Sequence, residues 1–292
     1  MLDIIFSNFS GFWALFLHPY RIYSTINPMD ITLWKERLSK LPLGEIYLYP
    51  ELGSTNQVAE EKIVGDCPPF SLVVADSQTE GKGRLGRHWV TRAGKALALS
   101  WILYPEPGRI QPETLGRVSG LGPVAVAEVL REIYSLPAEI KWPNDVLVHG
   151  KKTAGVLVDV RWNGCQLTDV VLGIGINVAR DSVPPQEELN FPATSLEDAA
   201  GTEISRLDLL IQIMETLIKW YTRLAEPSFI KAWDSMLAYK GQRVKLTTER
   251  GLRGEGKIAG ISEDGSLRLF SEAGEENEYH SGEIQLRLVD IS

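Results

Sequence analysis

Cysteine and histidine are scarce in this chain. Cys67 and Cys165 are its two cysteines, they stand far apart, and His18, His88, His149 and His280 are scattered. A disulfide framework, a structural zinc site and a histidine relay are therefore not expected, and free thiols in a cytoplasmic protein are. Net positive charge is lacking too: 30 Lys and Arg face 38 Asp and Glu, a net charge of -8. General attraction to nucleic acid needs a basic face that displaces counterions, so any basic cluster here serves a local purpose. No apolar run is long enough for a membrane span. Residues 4–20 are apolar and aromatic, but Ser7, Asn8, Ser10 and Gly11 interrupt them and Asp3 precedes them in place of a basic n-region. They read as a short segment packed on the body or as a lead ahead of a start at Met29, with a signal peptide as the third reading. The first 45 residues lack two helices joined by a glycine turn with a basic recognition face, so DNA binding by a helix-turn-helix is not expected.

What is present suits a globular chain of 292 residues, 44% apolar and 23% charged, enough for one large core or a large and a small one. From about Ile46 the pattern alternates between strand and helix. Ser54 and Gln57 have capping-box spacing and open a short helix through Lys62. Phe70–Ala75 and Ala96–Leu103 read as buried strands, and Val118–Tyr134 as a helix ended by Pro137. Short strands follow at Val146–Val148, Ala154–Trp162 and Leu167–Val178. Leu207, Leu210, Ile211, Met214, Leu217, Ile218, Tyr221 and Leu224 form an amphipathic stripe capped by Ser205. After Tyr239, closely spaced glycines punctuate short strands, and Glu263-Asp264-Gly265 signals a hairpin. A domain boundary is expected near Tyr239, with a small β-barrel or sandwich beyond it.

Four constellations carry chemistry. In Gly81-Lys82-Gly83-Arg84-Leu85-Gly86-Arg87-His88-Trp89, glycines let the backbone wrap closely around an anion, while Lys82, Arg84 and Arg87 bring three cations to one loop. Phosphate or carboxylate recognition follows, against a plain basic surface loop. The same glycines fit a dinucleotide-binding pattern, but no helical stripe opens at Gly86. In Lys141-Trp142-Pro143-Asn144-Asp145, proline fixes a bend that presents two oxygen-bearing side chains. These suit Mg²⁺ carrying a nucleotide phosphate or a general base, or only an Asx-turn. Lys152 stands at the entrance of an apolar strand next to Gly155; a Walker A loop is excluded, since no glycine stands at Asp145 and Lys152 occupies its Ser/Thr position. Gly173-Ile174-Gly175-Ile176-Asn177 is a strand that another backbone or a ligand can approach closely.

The order Ser54-Thr55-Asn56, Gln78 to Arg87, Lys141 to Asp145, Lys152 to Leu157, Gly173 to Val178 resembles biotin protein ligase. The resemblance implies an α/β (α+β) fold: a class II synthetase-like catalytic domain with a mixed sheet flanked by helices, then an SH3-like β-barrel. Residues 1–40 would be an extension of unknown role, 41–238 the catalytic domain and 239–292 the β-domain. It implies that ATP activates biotin to biotinyl-5′-AMP and that biotin then passes to a lysine of the biotin carboxyl carrier protein of acetyl-CoA carboxylase. By the same resemblance Arg84 and Arg87, with Lys82, order over the adenylate, and Lys152 lies between the biotin carboxylate and the α-phosphate. Each such donor is worth roughly 3 kcal/mol in the transition state. Ser54, Thr55, Asn56 and Gln78 would bind biotin, with Gly81 and Lys82 nearby. Trp89 and Trp142 supply apolar walls, and Trp89, Asn144 and Asn177 border the nucleotide. Asp145 would meet Mg²⁺ and help deprotonate the carrier lysine. One departure stands out: the family loop usually carries arginine where this chain has Lys82, which replaces a planar fork by a point charge. A lipoate or octanoyl ligase of related fold, and a non-catalytic biotin-binding protein, are the alternatives. The family includes monomers and dimers.

Overall fold

A computed structural model describes residues 29–106, 109–248, 251–280 and 285–288. The aromatic stretch at residues 4–20, with the readings placed on it, lies outside them. The described chain begins with helix α1 (Ile31–Leu38), strand β1 (Ile46–Leu52), α2 (Thr55–Val64), β2 (Leu72–Gln78) and β3 (Ala96–Leu103). It continues through α3 (Leu115–Glu132), β4 (Ala138–Lys141), β5 (Asp145–Val148), β6 (Lys151–Asn163) and β7 (Gln166–Asn177). Helices α4 (Leu196–Ala200), α5 (Arg206–Thr222) and α6 (Pro227–Ser235) lead to β8 (Arg243–Thr248), β9 (Gly251–Ile261), β10 (Leu267–Phe270), β11 (Glu276–Tyr279) and β12 (Gln285–Leu288).

Strands β1 to β7 form one mixed sheet in the order β1-β2-β3-β7-β6-β5-β4. Only β1 and β2 run parallel, because α2 crosses between them, and the remaining neighbours are antiparallel. Every residue of β3 is buried, as its unbroken apolar run requires of a strand covered on both faces. One face packs under α3 and α5 in the main core, where Leu97, Leu99 and Trp101 meet Leu121, Leu210 and Tyr221. On the other face Ala59 of α2 closes over Val73, Ile102 and Val171. Helix α3 comes close to its neighbours at two glycines: a Cβ on Gly122 would press on Val156, and one on Gly120 would overlap the Trp233 ring.

Three local expectations shift. Helix α2 forms where the Ser54 spacing placed it, but the Ser54 side chain makes no capping bond, so the box is not built. Strand β2 starts at Leu72, because Phe70 sits at φ 64° and gives its N–H to Ile102 O at 2.9 Å, ending a turn. Helix α1 falls in the stretch read as an extension. Asp30 caps it, Trp34 and Leu38 are buried, and Arg37 reaches Asp208 of α5 at 2.6 Å, which binds it to the body.

Strands β8 to β12 form a separate five-stranded antiparallel sheet in the order β11-β10-β9-β8-β12, and Tyr239 stands in the turn before it. The β9–β10 hairpin turns at Gly265, φ 93°, and docks on the larger body. Trp142 Nε1 donates to Gly265 O at 3.1 Å and Arg117 Nε to Glu263 O at 2.6 Å. Among the described residues no helix is long and apolar enough to cross a membrane.

One buried ion pair ties α5 to the sheet. Arg206 Nη1 lies 2.5 Å from Asp76 Oδ1, with side chains 9% and 5% exposed, and the same carboxylate oxygen accepts the Gly94 N–H. Asp76→Ala removes this carboxylate from the buried pair and is expected to lower the unfolding free energy by about 3–5 kcal/mol. Urea denaturation reads this as a lower midpoint, and an unchanged midpoint would show that the pair does not hold α5.

Candidate active site

The basic glycine loop leaves β2 and folds back on itself. Trp89 N–H donates to Gly81 O at 2.8 Å and Gly83 N–H to Arg87 O at 2.7 Å, while Leu85 and Gly86 take φ 59° and 68° at its tip. Only one turn of 3-10 helix, Arg84–Gly86, forms, so the dinucleotide-binding alternative fails for lack of a helix. The return places the Trp89 ring flat on the sheet. Gly155 of β6 and Gly175 of β7 face each other in register, and a Cβ on Gly175 would overlap the indole. Gly173, one pleat further, makes room for the Asn56 side chain. The glycine-bearing strand thus admits two side chains of its own protein.

Opposite the loop, Trp142, Pro143 and Asn144 join β4 to β5. Asn144 Nδ2 donates to Val156 O at 2.6 Å, and its Oδ1 accepts from Arg84 Nη1 at 3.1 Å. The loop's central arginine is therefore tied to the bend. Burial pulls the Arg84 guanidinium below its usual range, the Asp145 carboxylate pulls it back up, and Arg87 adds repulsion. Asp145, paired with Gly155 in register, receives the Lys152 ammonium at 2.6 Å. Lys152 in turn lies 5.5 Å over the Trp89 ring.

The far end of the cavity is polar and nearly neutral. Gln78 Oε1 accepts from Thr55 N at 2.8 Å and from its hydroxyl at 3.2 Å, while Gln78 Nε2 donates to Thr91 Oγ1 at 2.9 Å. Asn56 spans Ser100 and Asp159, at 2.6 and 2.7 Å. Ser54 is buried beside them and lines the wall.

Ser54, Thr55, Asn56, Gln78, Lys82, Arg84, Arg87, Trp89, Asn144, Asp145 and Lys152, predicted from four separated motifs, line one cavity of about 130 Å³. Gly81 and Asn177 are not on its wall. A Cβ on Gly81 would overlap Trp89 O, so this glycine closes the loop from behind, and Asn177 is buried against Thr194 O at 3.5 Å.

Comparison with known proteins agrees with this geometry. The pattern of the biotin/lipoate A/B protein ligase family matches residues 49–177, and that of the biotin protein ligase C terminal domain matches residues 240–287. The bifunctional ligase/repressor BirA of Bacillus subtilis is 34% identical over 248 residues, 84% of this chain and 75% of that protein. This chain belongs to the biotin protein ligase family. The biotin–[acetyl-CoA-carboxylase] ligase of Paracoccus denitrificans is 30% identical over 69% of this chain and 85% of its own. Among solved structures, the biotin protein ligase from Aquifex aeolicus in complex with biotin and ATP superposes with a TM-score of 0.71 at 33% identity, covering 84% of this chain and 99% of that one.

In this biotin protein ligase, two cations of the wall had been given no role by sequence reasoning. Lys141 opens a motif that was read for its asparagine and aspartate, yet its own side chain faces the cavity and is 5% exposed. Arg287 comes from β12, and no pattern in the sequence connects it with the motifs that line the cavity. The described wall thus carries six cations, Lys82, Arg84, Arg87, Lys141, Lys152 and Arg287, against one carboxylate, Asp145. Among the described residues no group of three or more His, Cys, Asp or Glu side chains can hold a metal. The residues present fit a magnesium ion that arrives on nucleotide phosphates and takes one protein carboxylate, not a resident cage.

Burial depresses Lys141 to about 8, with Asp145 opposing and Arg287, Lys152 and Arg87 adding repulsion. Between that value and its ordinary one near 10.5, the unfolded chain holds the proton and the folded chain does not. Stability should therefore gain from Lys141 as pH rises through this window. Urea unfolding at a series of pH values, compared with Lys141→Met, checks it: the parent's midpoint should climb relative to the variant's, and parallel profiles would contradict the depressed value.

Proposed function

We propose that the chain activates biotin with ATP and transfers it to a lysine of the biotin carboxyl carrier protein of acetyl-CoA carboxylase. The observation that carries this reading is the mixed lining of one cavity, where the neutral hydrogen-bonding side chains of Ser54, Thr55 and Gln78 share the wall with six cations. A neutral, polar ring with a carboxylate tail suits the former, and a polyphosphate suits the latter. The names of the relatives support the same substrates, since the Paracoccus denitrificans protein is a ligase of acetyl-CoA carboxylase and the Aquifex aeolicus structure holds biotin and ATP.

In the first step a biotin carboxylate oxygen attacks the α-phosphorus. The bond from that phosphorus to the bridging oxygen breaks, and pyrophosphate leaves with the electron pair. Two anions must approach, so Lys152 between them and Arg84 beside the phosphate lower the barrier by preorganised charge. Asp145 holds the Lys152 ammonium on target, and Asn144 does the same for Arg84. Lys82 and Arg87, both exposed on the loop, close over the nucleotide. Asp145 would be the protein carboxylate that meets a magnesium ion arriving on the nucleotide, whose charge would shield the phosphates. In the second step the carrier lysine's amine attacks the acyl carbon, the bond to the phosphate oxygen breaks and AMP leaves. The amine's proton passes to Asp145, freed when Lys152 turns to the phosphate, with a general-base effect of about 10²–10⁴.

The match of residues 240–287 to the biotin protein ligase C-terminal domain favours this reading over a lipoate or octanoyl ligase. The ordered Lys152–Asp145 and Arg84–Asn144 pairs favour it over an inert binding protein. We assign catalysis to residues 41–238 and a supporting cap to residues 239–292. The net charge of -8 supports a ligase that does not bind an operator, and the free thiols Cys67 and Cys165 support action in the cytoplasm.

The test is carrier labelling: full-length chain, biotin, Mg·ATP and a carrier domain, read with labelled streptavidin. Lys152→Ala and Arg84→Ala should each slow labelling by about 10²–10³-fold. An unlabelled carrier, or labelling that survives both substitutions, would overturn the mechanism.

A further inference from the structure

Two primary amides beside the neutral side chains of the cavity, Gln78 and Asn56, are held in different ways. An amide has nearly the same shape either way round, so what it offers a ligand depends on the neighbours that fix its two ends. The Thr55 backbone N–H can only donate, and it holds Gln78 Oε1 in place. Asn56 is 5% exposed and lies across the sheet over Gly173, where a Cβ would stand 2.0 Å from its Oδ1. That oxygen accepts from the Ser100 hydroxyl of β3 at 2.6 Å, but a hydroxyl could equally accept from the opposite face of the amide. The other end is different. Asn56 Nδ2 donates to Asp159 of β6 at 2.7 Å, and a carboxylate accepts only. Asp159 therefore decides which way round the Asn56 amide stands.

Asp159 lies behind the cavity wall, half-buried, and has no cation within 4.0 Å among the described residues. Its neighbour across the strands, Asp169, has one, Arg161 at 2.7 Å. The carboxylate of Asp159 thus goes to one amide, a bond of the charge-assisted kind. We propose that Asp159 is a positioning residue that sets substrate specificity by locking the Asn56 amide, so that its second N–H and second Oδ1 lone pair are offered in one fixed pattern. With Gln78 locked by Thr55, both amides then suit a ring that donates and accepts, such as a cyclic urea. A plain hydrocarbon acid leaves those buried groups unpaired, which is how a hydrogen-bonding site rejects an analogue that lacks the polar groups. The proposal deepens the ligase reading above and rests on it for the identity of biotin.

Calorimetry of biotin binding to the full-length chain, without nucleotide, reads the role. Asp159→Ala should weaken biotin binding by about tenfold, the scale of one charge-assisted hydrogen bond, and Asp159→Asn, which keeps an acceptor oxygen in place, should recover part of the loss. In turnover Asp159→Ala should raise KM for biotin while KM for ATP holds. A staple that only joins α2 to β6 would lower the urea midpoint and leave biotin affinity where it was. Parental affinity in folded Asp159→Ala overturns the proposal, as does a KM for ATP that rises in step with that for biotin, or an Asp159→Asn as weak as Asp159→Ala. Should Asp159→Ala not fold, Asp159→Thr takes its place under the same readings, since threonine suits a strand and its hydroxyl can donate as well as accept. A parent that binds no biotin contradicts the ligase reading and the proposal together. A parent that binds biotin and labels the carrier, with affinity unaltered in the variant, contradicts the proposal alone.

Discussion

Six cationic side chains around one cavity repel one another, and among the described residues the wall sets a single carboxylate, Asp145, against them. At an effective dielectric near 20, two unit charges about 4 Å apart interact by roughly 4 kcal/mol, so such a cluster is held only by a scaffold that resists its spreading. The scaffold is visible in the bonds each cation makes. Arg84 is pinned through Asn144 to the backbone of β6, Lys152 is pinned to Asp145 in the neighbouring strand, and Lys141 is wedged under Phe191. An anionic ligand would relieve the repulsion.

The sheet supplies the stiffness. Strands β6 and β7 run antiparallel over most of their lengths, and their facing glycines form a floor on which the Trp89 ring can lie. That ring anchors the return of the basic loop, so the loop's backbone and its cations are positioned by the same contact. The small C-terminal sheet is coupled to this arrangement at its hairpin, where Trp142 donates to Gly265 just before the bend that carries Asn144 and Asp145. The second sheet therefore braces this bend as well as bringing Arg287 to the cavity.

Much of this was legible in the residues. The apolar run of β3, the stripe of α5 and the glycine-punctuated strands beyond Tyr239 read directly as structure, because burial pattern and turn chemistry are local properties. The eleven predicted side chains that share the cavity were legible through motif order. What escaped was what depends on contacts distant in sequence. The Ser54 spacing implied a cap, but the side chain faces the cavity wall and makes no capping bond. Asn177 sits in a motif near the site yet turns to the Thr194 carbonyl. Helix α1 has an amphipathic face too short to stand out, and its place is set by Asp208 on α5. Lys141 could be read by identity but not by burial, and Arg287 enters from a different sheet.

The central claim is that this cavity joins a carboxylate to a nucleotide phosphate and holds the product until an acceptor arrives. Rapid-quench measurement of pyrophosphate release, with biotin and Mg·ATP present and the carrier left out, tests it most directly. The account predicts a burst of one pyrophosphate per chain that requires biotin, followed by slow turnover, with biotinyl-5′-AMP recovered from the protein. Pyrophosphate released only when the carrier is present, or ADP in its place, would contradict it.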